Sequence, residues 1–120
     1  MRKEGFYSLW IVFLNIKPIK PHKFIDLIDI EHENNDMPEF IGAWANIIIK
    51  ADDIHEVLEI LPAGLLEKNF EVVFVDKIEN MNSLVEHENL NQMVLNEANW
   101  ILDSEFVFMI SDCIYPYVDE

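Results

Sequence analysis

The sequence predicts an α+β fold, a two-layer sandwich in which a four-stranded sheet carries helices on one face. Four apolar runs rich in β-branched and aromatic residues have the length and composition of strands. Two stretches between the later runs carry apolar residues at the spacing of amphipathic helices. The chain has 120 residues, of which 51% are hydrophobic, and this is enough for a domain with its own core. We therefore expect residues 1–120 to form a single domain.

The predicted strands occupy residues 6–16, 40–51, 70–78 and 105–111. The second strand alternates, and its fully apolar face includes alanines that would let a helix approach closely: Ile41, Ala43, Ala45, Ile47, Ile49 and Ala51. Residues 22–39 fit a loose helical stripe and also a strand alternation, so their conformation stays open. The final segment, YPYVDE, is predicted to be a tail.

Two helices are predicted between the later strands. Asp53 is a favourable N-cap, and Glu56, three residues on, completes an Asp version of the capping box. Apolar residues then recur at helical spacing through residues 54–65. Pro62 removes a backbone donor, so we expect a kink or the start of a second short helix there. The other helix is predicted at about residues 83–102.

The element order favours a ferredoxin-like plait or a closely related one, with strand–helix–strand units that place the helices on one side of the sheet. The other side needs an explanation, because the first, third and fourth predicted strands are apolar on both faces. A sheet face that meets water normally carries the polar half of an alternating pattern. We therefore expect the second face to be covered by residues 22–39, by a second copy of the chain, or by another protein.

The charge of the chain limits the partners it can bind. Eight basic residues against 23 acidic residues give a formal net charge of −15. Phosphate recognition depends on lysine and arginine, so neither nucleic acid nor an anionic membrane is predicted as a partner. A basic protein would be attracted by such a field. One cysteine excludes an intrachain disulfide, and the apolar run at residues 6–16 is too short to span a bilayer, so we expect a cytoplasmic protein.

The tetrapeptide EHEN occurs twice, at residues 31–34 and 86–89. On a strand or a helix, consecutive side chains point in different directions, so neither copy alone is predicted to hold a metal ion. A metal site would require His32 and His87 to lie close enough to share one ion. The other interpretation is that both copies are acidic segments exposed to water.

The sequence does not decide whether the chain is an enzyme, but the balance is against one, and no cofactor is predicted. The segment DDIHE at residues 52–56 is explained by helix capping rather than by a carboxylate–histidine site. Cys113 lies in an acidic neighbourhood without a base. This favours a structural thiol over a nucleophile.

The predicted surface for a ligand or partner consists of Trp10, Trp44, Asn46 and Phe74. Asn46 is a polar residue within an apolar strand, so it must have a hydrogen-bond partner if it is buried. Together with Trp44, it would line a pocket or seat a partner. Of the three tryptophans, Trp44 and Trp100 are the ones whose positions matter most for this hypothesis.

Two segments carry a resemblance to known proteins: AWANIIIKADDIHEVLEIL at residues 43–61 and FEVVFVDKI at residues 70–78. They resemble small bacterial proteins in which a strand with Trp and Asn leads through an Asp cap into a helix and then a strand. Val57 and Pro62 depart from that pattern. In size and acidity the chain also resembles the α+β immunity proteins of bacterial toxin systems, which implies an inhibitor of a basic toxin.

Two functions therefore stand as hypotheses. The first is an acidic interaction module of an immunity, inhibitor or regulatory type, which binds a basic protein or forms a homodimer through its sheet face. The second is a small-ligand or metal-binding protein that uses Trp44, Asn46 and the EHEN histidines. Salt-sensitive binding of a basic protein would favour the first, and bound metal would favour the second.

Overall fold

The computed structural model of the chain describes residues 8–27, 40–86 and 92–118. Its strands are β1 (Leu9–Pro18), β2 (Phe40–Lys50), β3 (Phe70–Asn80) and β4 (Phe108–Val118). Its helices are α1 (Phe24–Leu27), α2 (Ile54–Glu67), α3 (Met81–Glu86) and α4 (Gln92–Leu102). The prediction of a tail at the end of the chain is wrong, because β4 continues through Tyr115 to Val118.

The described strands form one sheet in the order β3-β1-β2-β4, and each neighbouring pair is antiparallel. Helix α2 connects β2 to β3, which lie on either side of β1, so this connection passes over the central strand. A four-stranded sheet with helices packed on it confirms the predicted α+β class. The strand order does not confirm a ferredoxin-like plait.

Helix α2 begins where the capping pattern predicts. The Asp53 side chain accepts a hydrogen bond from the backbone N–H of Glu56 at 2.9 Å. One helix continues through Pro62 to Glu67, so no second helix starts at the proline. Asn69 follows with a φ of 66°, a left-handed conformation in which a helix commonly ends.

The first hydrophobic core lies between the sheet and helices α1 and α2. It buries the apolar face of β2 that the sequence predicts, apart from Ile41, which is exposed. Phe24 belongs to this core, so the described start of segment 22–39 packs beside α2, and residues 28–39 lie outside the described ranges. The buried members are Val12, Leu14, Ile16, Phe24, Ala43, Ala45, Ile47, Ile49, Ala51, Val57, Leu61, Leu65 and Phe70.

The second core lies on the opposite face of the sheet, under helices α3 and α4. Leu9, Ile11 and Ile48 alternate along their strands with members of the first core, so they point the other way. They pack against buried residues of the two helices: Met81, Val94, Ala98 and Ile101. These helices cover the part of the second face near the start of β1. The described residues leave the remainder of that face open.

Candidate interaction surface on the open sheet face

The open part of the second sheet face carries five aromatic rings contributed by all four strands. We call it the aromatic face and define it by Phe13, Asn15, Trp44, Asn46, Phe74, Tyr115 and Tyr117. The strand register assembles it, because Asn15 pairs with Trp44 on one side and with Phe74 on the other, and Trp44 pairs with Tyr115. Residues directly opposite each other on neighbouring strands share a face.

Three of these rings hold one another in place. Phe13 stacks on Trp44 with ring centroids 5.4 Å apart, and Trp44 meets Phe74 edge to face at 6.4 Å. Such pairs contribute about 0.5–1.5 kcal/mol each beyond the area they bury. Phe74 is nevertheless 56% exposed and Tyr115 is 55% exposed. The aromatic face is therefore ordered by ring packing and remains accessible.

Tyr117 ties β4 to β1 across the intervening strand. Its hydroxyl donates a hydrogen bond to the Asn15 side-chain oxygen at 2.7 Å. The ring passes over Gly42 of β2, where an added Cβ would lie 2.5 Å from the Tyr117 hydroxyl and 2.8 Å from the Ile16 carbonyl oxygen. The absence of a side chain at Gly42 therefore permits this contact.

The side chain of Asn46 hydrogen-bonds to a backbone carbonyl group in a bulge of β4, where β4 has more residues than the facing part of β2. The register between β2 and β4 shifts here, so residues 111–113 of β4 face the single residue Asn46 of β2. The Asn46 side-chain amide donates to the carbonyl oxygen of Cys113, inside this bulge, at 2.9 Å. Asn46 is half-buried and does have the hydrogen-bond partner that the sequence predicts for a buried Asn46.

Glu97 of α4 satisfies two further groups of the same bulge. Its carboxylate accepts hydrogen bonds from the Ser111 hydroxyl at 2.5 Å and from the Asp112 backbone N–H at 2.8 Å. Ser111 is 1% exposed, and its oxygen in turn accepts from the Cys113 backbone N–H at 2.9 Å. This network fastens α4 to β4 and fixes the position of the chain that leads to Tyr115.

A cavity of about 620 Å³ opens where the aromatic face meets α3 and α4. Small-molecule sites usually have volumes of about 300–1,000 Å³ and combine apolar walls with a few polar groups. The apolar lining consists of Ile11, Phe13, Leu84 and Val94. The remaining lining residues are Asn46, Asp76, Lys77, Glu79, Cys113 and Tyr115.

Cys113 and Tyr115 form the β4 side of this cavity. The Cys113 sulfur lies 3.0 Å from the Tyr115 hydroxyl oxygen, close enough for a hydrogen bond. This hydrogen bond, the charge of Cys113 and slight burial raise the pKa of Tyr115 above its ordinary value of 10.0. Tyr115 is therefore a neutral phenol at physiological pH. The structural role predicted for the cysteine stays a prediction.

The structure brings three of the four predicted surface residues together. Trp44, Asn46 and Phe74 share the aromatic face, whereas Trp10 lies on the other side of the sheet. Trp10 packs against the first core, and its indole N–H donates to the Ala51 carbonyl oxygen at 3.1 Å. It is therefore partly buried beside the first core and does not belong to the surface that the other three residues form.

Trp100 belongs to a separate exposed patch. It stacks on Phe106 with centroids 5.8 Å apart, and both rings are more than half exposed. Neither ring lines the cavity.

The two EHEN histidines, His32 and His87, lie outside the described residues, so the shared metal site stays a prediction. Within the described ranges, no three His, Cys, Asp or Glu side chains are grouped as metal ligands. The same ranges contain no helix of the length and apolar character that crossing a membrane requires.

Comparisons with protein-family models, curated proteins and solved structures find no significant match for the chain. The resemblance to immunity proteins is therefore an expectation that these comparisons leave untested. The aromatic face and the cavity beside it are the features of the described residues that bear on function.

Sequence patterns could have indicated the four further residues of the aromatic face. Phe13 lies two residues before Asn15, and this pair matches the aromatic and amide pair of the neighbouring strand. Tyr115 and Tyr117 continue the strand alternation on either side of Pro116. Proline is tolerated in an edge strand, so this alternation was a usable signal.

Proposed function

We propose that the protein is an acidic interaction module whose aromatic face binds a basic protein, as an immunity-type inhibitor or a regulatory subunit would. The aromatic face carries this proposal, because its rings are held in fixed orientations and remain exposed. Aromatic side chains are enriched at the centres of protein interfaces, where a few residues contribute most of the binding energy. A cytoplasmic partner is expected, and the proposal does not depend on a ferredoxin-like topology.

The net charge favours a basic partner over a second copy of the chain. A symmetric dimer would bring two chains of −15 together, and their charges repel most strongly within about 8 Å at physiological salt. A basic protein would gain attraction from the same field and would be steered towards the face. A homodimer is therefore the alternative outcome of the test.

The charges near the aromatic face are consistent with this choice. Lys17 lies 3.4 Å from Glu71, and Lys77 lies 3.3 Å from Glu79. Both ion pairs are exposed, so each contributes at most about 1 kcal/mol. Each lysine is paired with a glutamate, which offsets much of the repulsion between the lysine and a basic partner.

Substitution of Phe74 measures how much the aromatic face contributes to the free energy of partner binding. A phenylalanine side chain presents about 200 Å² to solvent, and 56% of Phe74 is exposed. Burying about 110 Å² at roughly 25 cal/mol per Å² stabilises a complex by about 2–3 kcal/mol. We therefore expect Phe74→Ala to weaken partner binding about 30- to 150-fold.

The experiment begins with a photo-crosslinking amino acid at position 74 of the full chain in the cells that make it. Mass spectrometry identifies the protein captured there, and calorimetry with the purified partner then measures the dissociation constant at two salt concentrations. The expected partner is basic, and its affinity falls as salt rises. Leu66→Ala is the matched control, because Leu66 is exposed on α2 away from the aromatic face.

Three results would contradict the proposal. The first is a crosslink from position 74 to a second copy of the chain, which would indicate a homodimer. The second is a purified partner whose affinity does not change with salt. The third is a partner that binds equally well to Phe74→Ala and to the unaltered chain, or one that Leu66→Ala weakens to the same extent.

The cavity beside the face favours a second candidate function, the binding of a small ligand. Its metal form requires His32 and His87 to share an ion. Thermal unfolding with zinc and then with a chelator tests that form, because a metal bound to the folded state raises the melting temperature. An unchanged melting temperature would reject it.

A further inference from the structure

The cavity has an aromatic wall on one side and a charged rim on the other. Phe13 and Tyr115 contribute the rings, and the rim is formed by charged residues of β3. Regular alternation would place Asp76 and Lys77 on opposite faces of the sheet. The pairing with β1 shifts between Val75 and Lys77, which leaves Asp76 as an extra residue, and both of these charged residues line the cavity.

Asp76 is the rim residue whose charge is uncompensated. Lys77 Nζ lies 3.3 Å from Glu79 Oε1, so these two charges offset each other. No ion pair links Asp76 to another residue of the described ranges. Asn46 also lines the cavity, and its amide N–H is already donated to the Cys113 carbonyl oxygen, which leaves its own carbonyl oxygen as an acceptor.

We propose that this cavity receives an arginine side chain of the basic partner, whose guanidinium pairs with Asp76 and stacks against Tyr115. The inference rests on the proposed function and adds the residue type that the partner contributes. A guanidinium is planar, stacks on aromatic rings and binds a carboxylate through two parallel hydrogen bonds. The ammonium group of lysine is a more strongly hydrated point charge and fits such a site less well.

An acidic side chain of a partner would fit this cavity poorly, because the rim already carries carboxylates. It would meet the carboxylates of Asp76 and Glu79 with only Lys77 to attract it. A purely apolar side chain would bury the Asp76 carboxylate without a partner, and burial of an unpaired charge is costly. A cationic group that also stacks on rings satisfies both walls of the cavity.

The first test uses three blocked amino acids of similar size: arginine, lysine and citrulline, each carrying an N-acetyl group and a methylamide. Citrulline has the shape of arginine without its charge. Two-dimensional NMR titration of the full chain at about 150 mM salt gives each dissociation constant. We expect the arginine probe to shift the amide signals of cavity residues, the lysine probe to bind about threefold more weakly, and the citrulline probe about tenfold more weakly.

Two charge variants have expected effects of opposite sign. Asp76→Asn removes the paired carboxylate and weakens binding of the arginine probe about fivefold, whereas Lys77→Met removes a repelling charge and strengthens it about threefold. Glu59→Gln and Lys68→Met are matched controls on α2, because they make the same changes in net charge on exposed residues away from the cavity. They leave the affinity within about twofold.

Equal binding of the arginine and citrulline probes would overturn the inference, as would reversed signs for the two variants or equal effects of the matched controls. The same variants, assayed with the purified partner, identify the source of the guanidinium, since Asp76→Asn then weakens the complex about fivefold. A partner that Phe74→Ala weakens but Asp76→Asn does not would overturn this inference and leave the proposed function standing. The converse result would support the cavity and contradict the aromatic face as the docking surface.

Discussion

Replacing Glu97 by alanine tests the network that fastens α4 to the bulge of β4. The substitution removes the carboxylate that accepts hydrogen bonds from the Ser111 hydroxyl and the Asp112 backbone N–H. It leaves the apolar contacts of α4 in place, because Val94, Ala98 and Ile101 form the buried side of the helix. The change in the free energy of unfolding therefore measures the polar network.

The magnitude follows from the burial of the two donors. Ser111 is 1% exposed, so water cannot replace the carboxylate there, and a hydrogen bond to a charged group contributes about 1.5–3 kcal/mol. Asp112 is exposed, so water replaces the carboxylate at its N–H and the loss is about 0.5 kcal/mol. The expected total is about 2–3.5 kcal/mol. For 120 residues, each kcal/mol lowers the melting temperature by about 4 °C, so we expect a fall of about 8–14 °C.

Urea unfolding followed by circular dichroism gives the free energy of unfolding of each variant. Glu97→Gln keeps the size and one acceptor, so its loss should be about half that of Glu97→Ala. Glu59→Ala is the control, because Glu59 is exposed on α2, and it should change stability by less than about 0.5 kcal/mol. A double-mutant cycle with Ser111→Ala should give a coupling of at least about 1.5 kcal/mol. The reasoning is refuted if Glu97→Ala is as stable as the control or if the coupling is zero.

Two further predictions concern the same face of the sheet. Gly42→Ala should lower the free energy of unfolding by about 1–2 kcal/mol, because the added Cβ would lie 2.8 Å from the backbone carbonyl oxygen of Ile16. An unchanged or raised melting temperature of the variant would contradict this prediction. Cys113→Ala should lower the pKa of Tyr115 towards 10.0, because the thiol supplies the hydrogen bond and the charge that raise it. NMR titration of tyrosine carbons measures that pKa, and an unaltered titration in the variant would count against the contact. Since folding raises this pKa, the stability linked to the neutral phenol is retained below about pH 10 and is lost as the pH rises through the folded value.

The elements with the clearest local signals are those that sequence patterns predict well. Asp53 and the apolar residues after it predict the start of α2, because a cap and a helical stripe are interactions within about one turn of the helix. The alternation along β2 predicts the face that the first core buries. Pro62 is the exception, since packing of the residues around it against the sheet keeps α2 a single helix despite the lost donor.

The prediction for the second sheet face is confirmed only in part. Excess apolar residues predict a covered face, and α3 and α4 cover Leu9, Ile11 and Ile48 there. These helices are not among the three covers that the sequence suggested. Trp44, Asn46 and Phe74 lie on one face of the sheet, whereas Trp10 shares strand composition with them but not the same face. When a strand is apolar on both faces, the residues next to a tryptophan do not indicate the face of the sheet on which it lies.

By itself the sequence determined the acidity of the protein, the α+β class and the alternating face of β2, because these depend on composition and on neighbours along the chain. Only the tertiary structure decided the strand order, the joining of rings from four strands and the cavity beside them. Those features depend on register. A bulge at residues 111–113 brings Asn46 to the Cys113 carbonyl oxygen, and a second bulge places both Asp76 and Lys77 at the cavity. A register shift of one or two residues is set by pairing between distant strands, so the residues near the bulge do not encode it alone.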